Sequence, residues 1–171
     1  MYMYKTKEVL SSPYRLYTRI VRHERNIWES VKYVVTIYAI FYLLSIVIET
    51  LTGSLSIIRL YALIYTPVIL VFQILVFHAI GYLFNNQETL ESSAQIVMYS
   101  AIPVMVGLAF VSLPFGVLIL LVSEVYRLIL LINGLTIIQK LPYLRSILIV
   151  AVFTAIISLV NFFLFSSIIT P

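Results

Sequence analysis

Apolar residues fill most of the chain in five long runs, separated by short polar or turn-forming segments. A helix needs roughly 20 apolar residues to cross a hydrocarbon core about 30 Å thick, and each run approaches or exceeds that length. The runs predict transmembrane helices at about residues 31–48, 60–84, 94–113, 115–135 and 147–169. Pro67 lies inside the second run and Pro103 inside the third, while Pro114 predicts a short turn before the fourth.

The polar segment ahead of the first run has a different pattern, which predicts an amphipathic helix at the membrane interface. Ser12 is a suitable N-cap, and Pro13 suits the first helical position. One predicted face carries Tyr14, Tyr17, Val21 and Trp28, and another carries Arg15, Arg19, Arg22 and Asn26. Such a helix can lie on anionic lipid with its aromatic face among the headgroups. The plainer interpretation is a juxtamembrane helix, and the more specific one is a docking surface for a soluble partner.

The predicted fold is therefore all-α. A basic, cytoplasmic N-terminal segment with an interfacial helix (residues 1–30) precedes a polytopic bundle of five transmembrane helices (residues 31–171). Composition agrees with this, because 62% of the 171 residues are hydrophobic and only 11% are charged. A soluble domain of this length would need a larger charged surface to cover its core.

Composition also excludes several classes of function. The chain has no cysteine and no aspartate, and its two histidines are His23 and His78. We therefore expect no metal site and no cofactor, and no catalytic motif is recognisable, so the chain is predicted not to be an enzyme. The basic residues lie where membrane topology already explains them, which argues against a nucleic-acid partner.

The distribution of Lys and Arg predicts the orientation. Seven basic residues precede or open the first run: Lys5, Lys7, Arg15, Arg19, Arg22, Arg25 and Lys32. With five spans, Lys140 and Arg145 fall on the same side, whereas the opposite side has only Arg59. The N-terminus should therefore be cytoplasmic and the C-terminus outside, in the cell membrane, or in the ER or Golgi membrane of a eukaryote.

Two charged residues, Glu124 and Arg127, lie in the middle of the fourth run. Each costs roughly 2.5–3.5 kcal/mol at the centre of a membrane helix, so the pair should neutralise itself and face protein or water. Their spacing of three places them on one helical face, which Ser123 and Gly134 share. A structural ion pair is the simpler interpretation, and a polar pathway or a ligand contact is the alternative.

Other polar residues recur within the apolar runs. Ser158 and Asn161 lie with Thr154 on one face of the fifth run, where close helix packing is the plainer explanation. Gln73 and His78 in the second run lie on different faces, so they do not form one site. We interpret these four residues (Gln73, His78, Ser158 and Asn161) as candidate polar contacts within the bundle.

Four short motifs mark successive segments of the chain. Leu10–Ser11–Ser12–Pro13 opens the amphipathic segment, and the stretch from Phe77 to Phe84 contains His78 before a polar loop. Tyr99 and Pro103 then stand four residues apart in the third run, and Gly134–Leu135 closes the fourth. In their order and spacing these motifs resemble the Yip family, the Ypt/Rab-interacting membrane proteins and their prokaryotic relatives. The resemblance implies five spans, a cytosolic N-terminus and a short member of prokaryotic type.

Eukaryotic members of the family resemble trafficking factors that engage small GTPases, but this chain lacks their long N-terminal extension, which argues against GTPase binding. The preferred function is a non-enzymatic membrane-organising or adaptor protein that binds lipids, membrane-protein partners or a second copy of itself. One alternative is a small transporter or channel that uses the Glu124 and Arg127 face. Another is an accessory subunit of a larger membrane complex.

Overall fold

A computed structural model describes the backbone of residues 2–23, 26–53, 57–84 and 89–169, and the side chains of residues 6–21, 26–53, 65–84 and 89–163. In these ranges all regular secondary structure is α-helical: α1 (Tyr2–Ser11), α2 (Pro13–His23), α3 (Ile27–Thr52), α4 (Ile57–Leu83), α5 (Leu90–Ala109), α6 (Gly116–Ile138) and α7 (Tyr143–Ile169). Within the described residues, the five helices α3 to α7 contain apolar stretches long enough to cross a membrane. The predicted all-α fold with five spans is confirmed.

Several helices extend past the apolar runs because polar residues cap them. α3 begins four residues before the predicted span, where the Asn26 side chain accepts a hydrogen bond from the Trp28 N–H. Thr89 caps α5 in the same way by accepting from the Ser92 N–H. α3 ends at Gly53, whose φ of 68° lies in the left-handed region that favours glycine.

α5 lies at the centre of the bundle. In its most apolar window 78% of the residues are buried, against 17–28% for the windows of the other four spans. Glycine lets α6 approach closely, because a Cβ on Gly107 would lie 2.8 Å from Ser123 Oγ and 3.1 Å from Leu120 Cα. Small residues at such contacts increase the packing between membrane helices.

The N-terminal helix pair, α1 and α2, packs onto this bundle. The two helices meet at Ser12 and Pro13, and an ion pair of 2.9 Å between Arg19 Nη2 and Glu8 Oε1 spans the junction. Val9 of α1 is buried in the same hydrophobic cluster as residues of α3, α5 and α6. The N-terminal segment is thus helical, as predicted, and it shares a core with the spans.

The prediction of a lipid-facing aromatic surface on α2 is wrong for two of its four residues. Tyr17 is fully buried together with Leu16 and Ile20, while Trp28 belongs to α3. The reason is a second apolar stripe on α2, which fits against α6 where Gly134 has no side chain. A Cβ on Gly134 would lie 3.2 Å from Tyr17 Cζ and 2.6 Å from a methyl group of Ile96. Tyr14 and Val21 remain exposed.

Hydrogen bonds also hold the N-terminal helix pair in place. The Tyr126 hydroxyl donates to the Val9 carbonyl at 2.9 Å, and the hydroxyls of Thr6 and Tyr33 lie 2.9 Å apart. Burial raises the pKa of Tyr17, and the neighbouring Tyr99 and Tyr126 raise it further, because all three disfavour a phenolate at this position. Tyrosine hydroxyls therefore line much of the contact between this pair and the spans.

Candidate functional site

The charged pair predicted in the fourth span occupies the middle of α6. Arg127 Nη1 lies 3.6 Å from Glu124 Oε2, so the two residues do face the same side. Their side chains differ in exposure, at 11% for Arg127 and 47% for Glu124. The cation is therefore directed into the bundle, and the carboxylate lies at its edge.

Arg127 has two further neighbours on other helices. Its Nη2 donates a hydrogen bond of 2.7 Å to Oε1 of Gln73, a buried residue of α4. Its guanidinium carbon lies 6.0 Å from the ring centroid of Phe153 on α7, within the range of a cation–π contact. Arg127 Nε is buried without a hydrogen-bond partner among the described residues. Arg127 thus joins α4, α6 and α7.

A cavity of about 120 Å³ lies beside this pair, between α6 and α7. We call it the α6–α7 crevice; it is lined by Glu124, Arg127, Leu128, Leu131, Phe153, Thr154, Ile157, Ser158 and Asn161. The predicted stripe on the fifth span therefore faces the charged pair. The structure brings together Glu124, Arg127, Ser158 and Asn161, and Gln73 joins them through Arg127.

The crevice extends from the middle of the bundle toward the end opposite the N-terminal segment. Arg127 lies eleven residues before the end of α6, and Thr154 lies eleven residues after the start of α7, so they are at about the same level. Ser158 and Asn161 follow Thr154 by about one and two helical turns. Glu124 is eight residues from Gly116 at the start of α6, about 12 Å along the axis.

His78 lies apart from the crevice, in a separate polar contact five residues after Gln73 and nearer to the C-terminal end of α4. Its Nδ1 is 3.2 Å from Ser93 Oγ, which also accepts a hydrogen bond of 3.2 Å from Gln139 Nε2. These three residues join α4 and α5 to the end of α6. This geometry is that of a structural contact between helices, and no group of three metal-ligating residues occurs in the described ranges.

The predicted basic face lies on α2. Arg15 is exposed, and Arg19 is 43% exposed while paired with Glu8. Arg22 lies in α2, but its side chain falls outside the described residues. Because the buried stripe of α2 faces α6, the Arg15 and Arg19 side chains project from the surface of the bundle.

A family model for the Yip1 domain matches residues 7–165 of the chain. The chain belongs to the Yip1 family. No curated protein and no solved structure gave a significant match. The protein is thus a multi-pass membrane protein of a family whose members are generally non-enzymatic trafficking proteins.

The structure gives positions to the segments that resemble this family. In this Yip1 domain, Tyr99 is fully buried, with its ring centroid 5.6 Å from that of Tyr33. Gly134 has no side chain, and the Tyr17 ring packs into the space that this leaves. Gly134 of the fourth span therefore contacts the N-terminal helix pair, whereas Tyr99 of the third span joins α5 to α3.

Other polar contacts were not predicted from the sequence. Gln95 Nε2 donates to Ser30 Oγ at 3.3 Å, and Ser112 Oγ donates to Glu49 Oε1 at 3.1 Å. Each joins α5, or the turn after it, to α3. Periodicity places such residues on a face of their own helix, but only the packing of the helices shows which partner they meet.

Proposed function

We propose that this Yip1 domain is a non-enzymatic, membrane-organising adaptor whose basic N-terminal face binds anionic membrane surfaces on the cytoplasmic side. This proposal rests on the packing of α2 against the bundle along one face only. Leu16, Tyr17 and Ile20 are buried in the bundle, whereas Arg15 and Arg19 project outward. A helix fixed along one side presents its charges in a defined position, so less side-chain and backbone freedom is lost on binding.

The charge distribution supports the same proposal. Exposed Lys32, Lys140 and Arg145 lie near helix ends on the same side of the five spans as α2. Cytoplasmic loops of membrane proteins carry such an excess of Lys and Arg. Each basic residue close to an anionic membrane contributes about 1 kcal/mol of attraction. Several together would favour contact with a second, anionic bilayer or with acidic lipid in the same one.

Charge reversal on α2 tests the proposal. The protein is reconstituted in neutral vesicles, and its association with anionic vesicles is measured by light scattering or by energy transfer between labelled bilayers. We expect the double variant Arg15→Glu/Arg19→Glu to lose most of this association, because repulsion replaces attraction. The double variant Arg15→Lys/Arg19→Lys should retain it. Equal association by both variants, with unchanged helicity, would contradict the proposal.

A transporter is the second candidate, and the polar crevice is the observation that favours it. Glu124 and Arg127 lie in mid-membrane beside hydroxyl and amide side chains, as do the polar residues of many transport pathways. Its test is ion or proton flux in liposomes. Transport through the crevice would require flux by the unmodified protein and its loss in Glu124→Gln.

A further inference from the structure

The α6–α7 crevice presents a negative charge toward its open side. Glu124 is half exposed, whereas its cation Arg127 is directed inward and already donates to Gln73. The carboxylate lies 3.6 Å from the guanidinium, so the ion pair leaves room for Glu124 to accept other hydrogen bonds. A charged group at this depth is costly unless it has partners. Arg127 meets part of that need, and a cation with N–H donors could meet the rest on the exposed side of Glu124.

The opposite wall of the crevice offers more acceptors. Thr154, Ser158 and Asn161 lie along it at intervals of about one helical turn. Their hydroxyl and amide oxygens can accept hydrogen bonds, and the three N–H groups of a primary ammonium can each donate one. A quaternary ammonium has no N–H to donate. The lining therefore distinguishes primary amines from trimethylated ones.

The surroundings indicate that the occupant comes from the bilayer. The side chains next to the crevice on the outer surfaces of α6 and α7 are exposed and apolar: Leu121, Val125, Leu159 and Phe162. In a membrane these positions face lipid. The cavity of about 120 Å³ has space for about four waters, which is close to the size of an ethanolamine group.

We propose that the α6–α7 crevice binds the primary-ammonium headgroup of a membrane phospholipid, with Glu124 as the main acceptor. The ammonium would lie beside Glu124, about 12 Å along the axis from Gly116 at the start of α6, and the phosphate would lie nearer to that start, on the side of Asn161. This site is separate from the basic face of α2, so it does not depend on the proposed adaptor function.

The test compares two lipids that differ only in methylation of the amine. Purified protein is titrated with phosphatidylethanolamine or phosphatidylcholine of matched acyl chains, and bound lipid is counted by native mass spectrometry. We expect phosphatidylethanolamine to bind at least about tenfold more tightly, because a charge-assisted hydrogen bond in a desolvated site contributes that much or more. Equal binding of the two lipids would overturn the proposal.

Substitutions locate the site. Glu124→Gln should abolish the preference, whereas Glu29→Gln should not, since Glu29 is a carboxylate of similar exposure on α3. If Glu124→Gln unfolds, Ser158→Leu serves instead, because it fills the crevice and keeps the charge. Leu159→Phe is its control, adding bulk to the neighbouring lipid-facing position. A preference that persists in Glu124→Gln or in Ser158→Leu would contradict the site.

Two further experiments test whether the bound ammonium belongs to a lipid, to a free amine or to a protein. Free ethanolamine added to protein in phosphatidylcholine should not match the effect of the lipid on thermal stability, because it lacks the acyl anchor; equal protection would overturn the lipid assignment. A poly-leucine transmembrane peptide with one lysine should not bind more tightly than phosphatidylethanolamine. Preferential binding of that peptide, lost in Glu124→Gln, would replace the lipid by a protein partner.

Discussion

Tyr17 and Tyr126 are neighbouring tyrosines whose hydroxyls differ in their hydrogen bonding. Tyr126 donates to the Val9 carbonyl, whereas the buried Tyr17 hydroxyl has no partner within the described part of the chain. Removing a hydrogen bond between two partly buried groups such as these costs about 0.5–1.5 kcal/mol. Removing an unpartnered buried hydroxyl relieves its desolvation penalty instead. The two hydroxyls should therefore affect stability in opposite directions.

We expect Tyr126→Phe to lower the free energy of unfolding by about 0.5–1.5 kcal/mol. Tyr17→Phe should leave it unchanged or raise it, because the ring continues to fill the same space. Thermal unfolding followed by circular dichroism in detergent micelles measures both. Tyr143→Phe, at an exposed position, is the control and should have no effect. A larger loss in Tyr17→Phe than in Tyr126→Phe would contradict this account of the contact.

The hydrogen bond between Gln73 and Arg127 provides a second prediction at this scale. Gln73→Leu removes the amide acceptor of Arg127 Nη2 and should cost about 1–3 kcal/mol. In Gln73→Leu/Arg127→Leu the buried charge is removed as well, so the double variant should be less destabilised than the sum of the two single variants. The same unfolding measurement tests this double-mutant cycle. Strict additivity would show that the two side chains are not coupled.

Sequence alone indicated part of this site. The spacing of Glu124 and Arg127 places them on one face, and the repeat of Thr154, Ser158 and Asn161 places those residues on one face of α7. It could not show that these faces meet each other, or that Gln73 reaches Arg127. Those contacts depend on the rotation of each helix about its axis, and apolar residues around most of each span leave that rotation undetermined.

At the scale of elements, the packing of α2 against α6 depends on the absence of a side chain at Gly134. A Cβ there would lie 2.6 Å from a methyl group of Ile96 and 3.2 Å from the Tyr17 ring. Such overpacking usually costs about 1–3 kcal/mol. We therefore expect Gly134→Ala to lower the unfolding temperature and to increase protease cleavage between α2 and α3.

A compensating substitution provides the control for this steric argument. Ile96→Ala removes the methyl group that a Cβ at position 134 would meet, although by itself it leaves a cavity. The double variant Gly134→Ala/Ile96→Ala should therefore be more stable than the sum of the two single effects predicts. If the effects add, the close contact with Ile96 is not the cause.

The elements differ in how well their sequence pattern predicts them. The five spans follow from the length of their apolar runs, because a bilayer requires about 20 such residues for each helix. The docking of α2 did not follow, since Tyr17 fits a lipid-facing aromatic surface and a buried stripe equally well. Only the position of Gly134 opposite Tyr17 distinguishes the buried arrangement from the lipid-facing one. That contact joins residues 117 positions apart in the sequence.

For the whole molecule, the arrangement of charge is the property that connects fold to function. Basic side chains of α2, α3 and the segment after α6 project from one end of the bundle, whereas the crevice with Glu124 extends toward the other end. An adaptor that uses the basic end must present it to the cytoplasm. An ammonium site at Glu124 would then take lipid from the outer leaflet.

The orientation of the chain in the membrane is directly measurable, because the sequence contains no cysteine. Phe115→Cys and Tyr143→Cys place one thiol each at exposed positions on opposite ends of the bundle, at the starts of α6 and α7. Positive-inside orientation puts Phe115 outside and Tyr143 in the cytoplasm. In intact cells, a membrane-impermeant maleimide should label only Phe115→Cys, and after permeabilisation it should label both. Labelling of Tyr143→Cys alone in intact cells would reverse the topology. The basic face of α2 would then be outside, where no cytoplasmic membrane surface is available to it, and the ammonium site would draw on the inner leaflet instead.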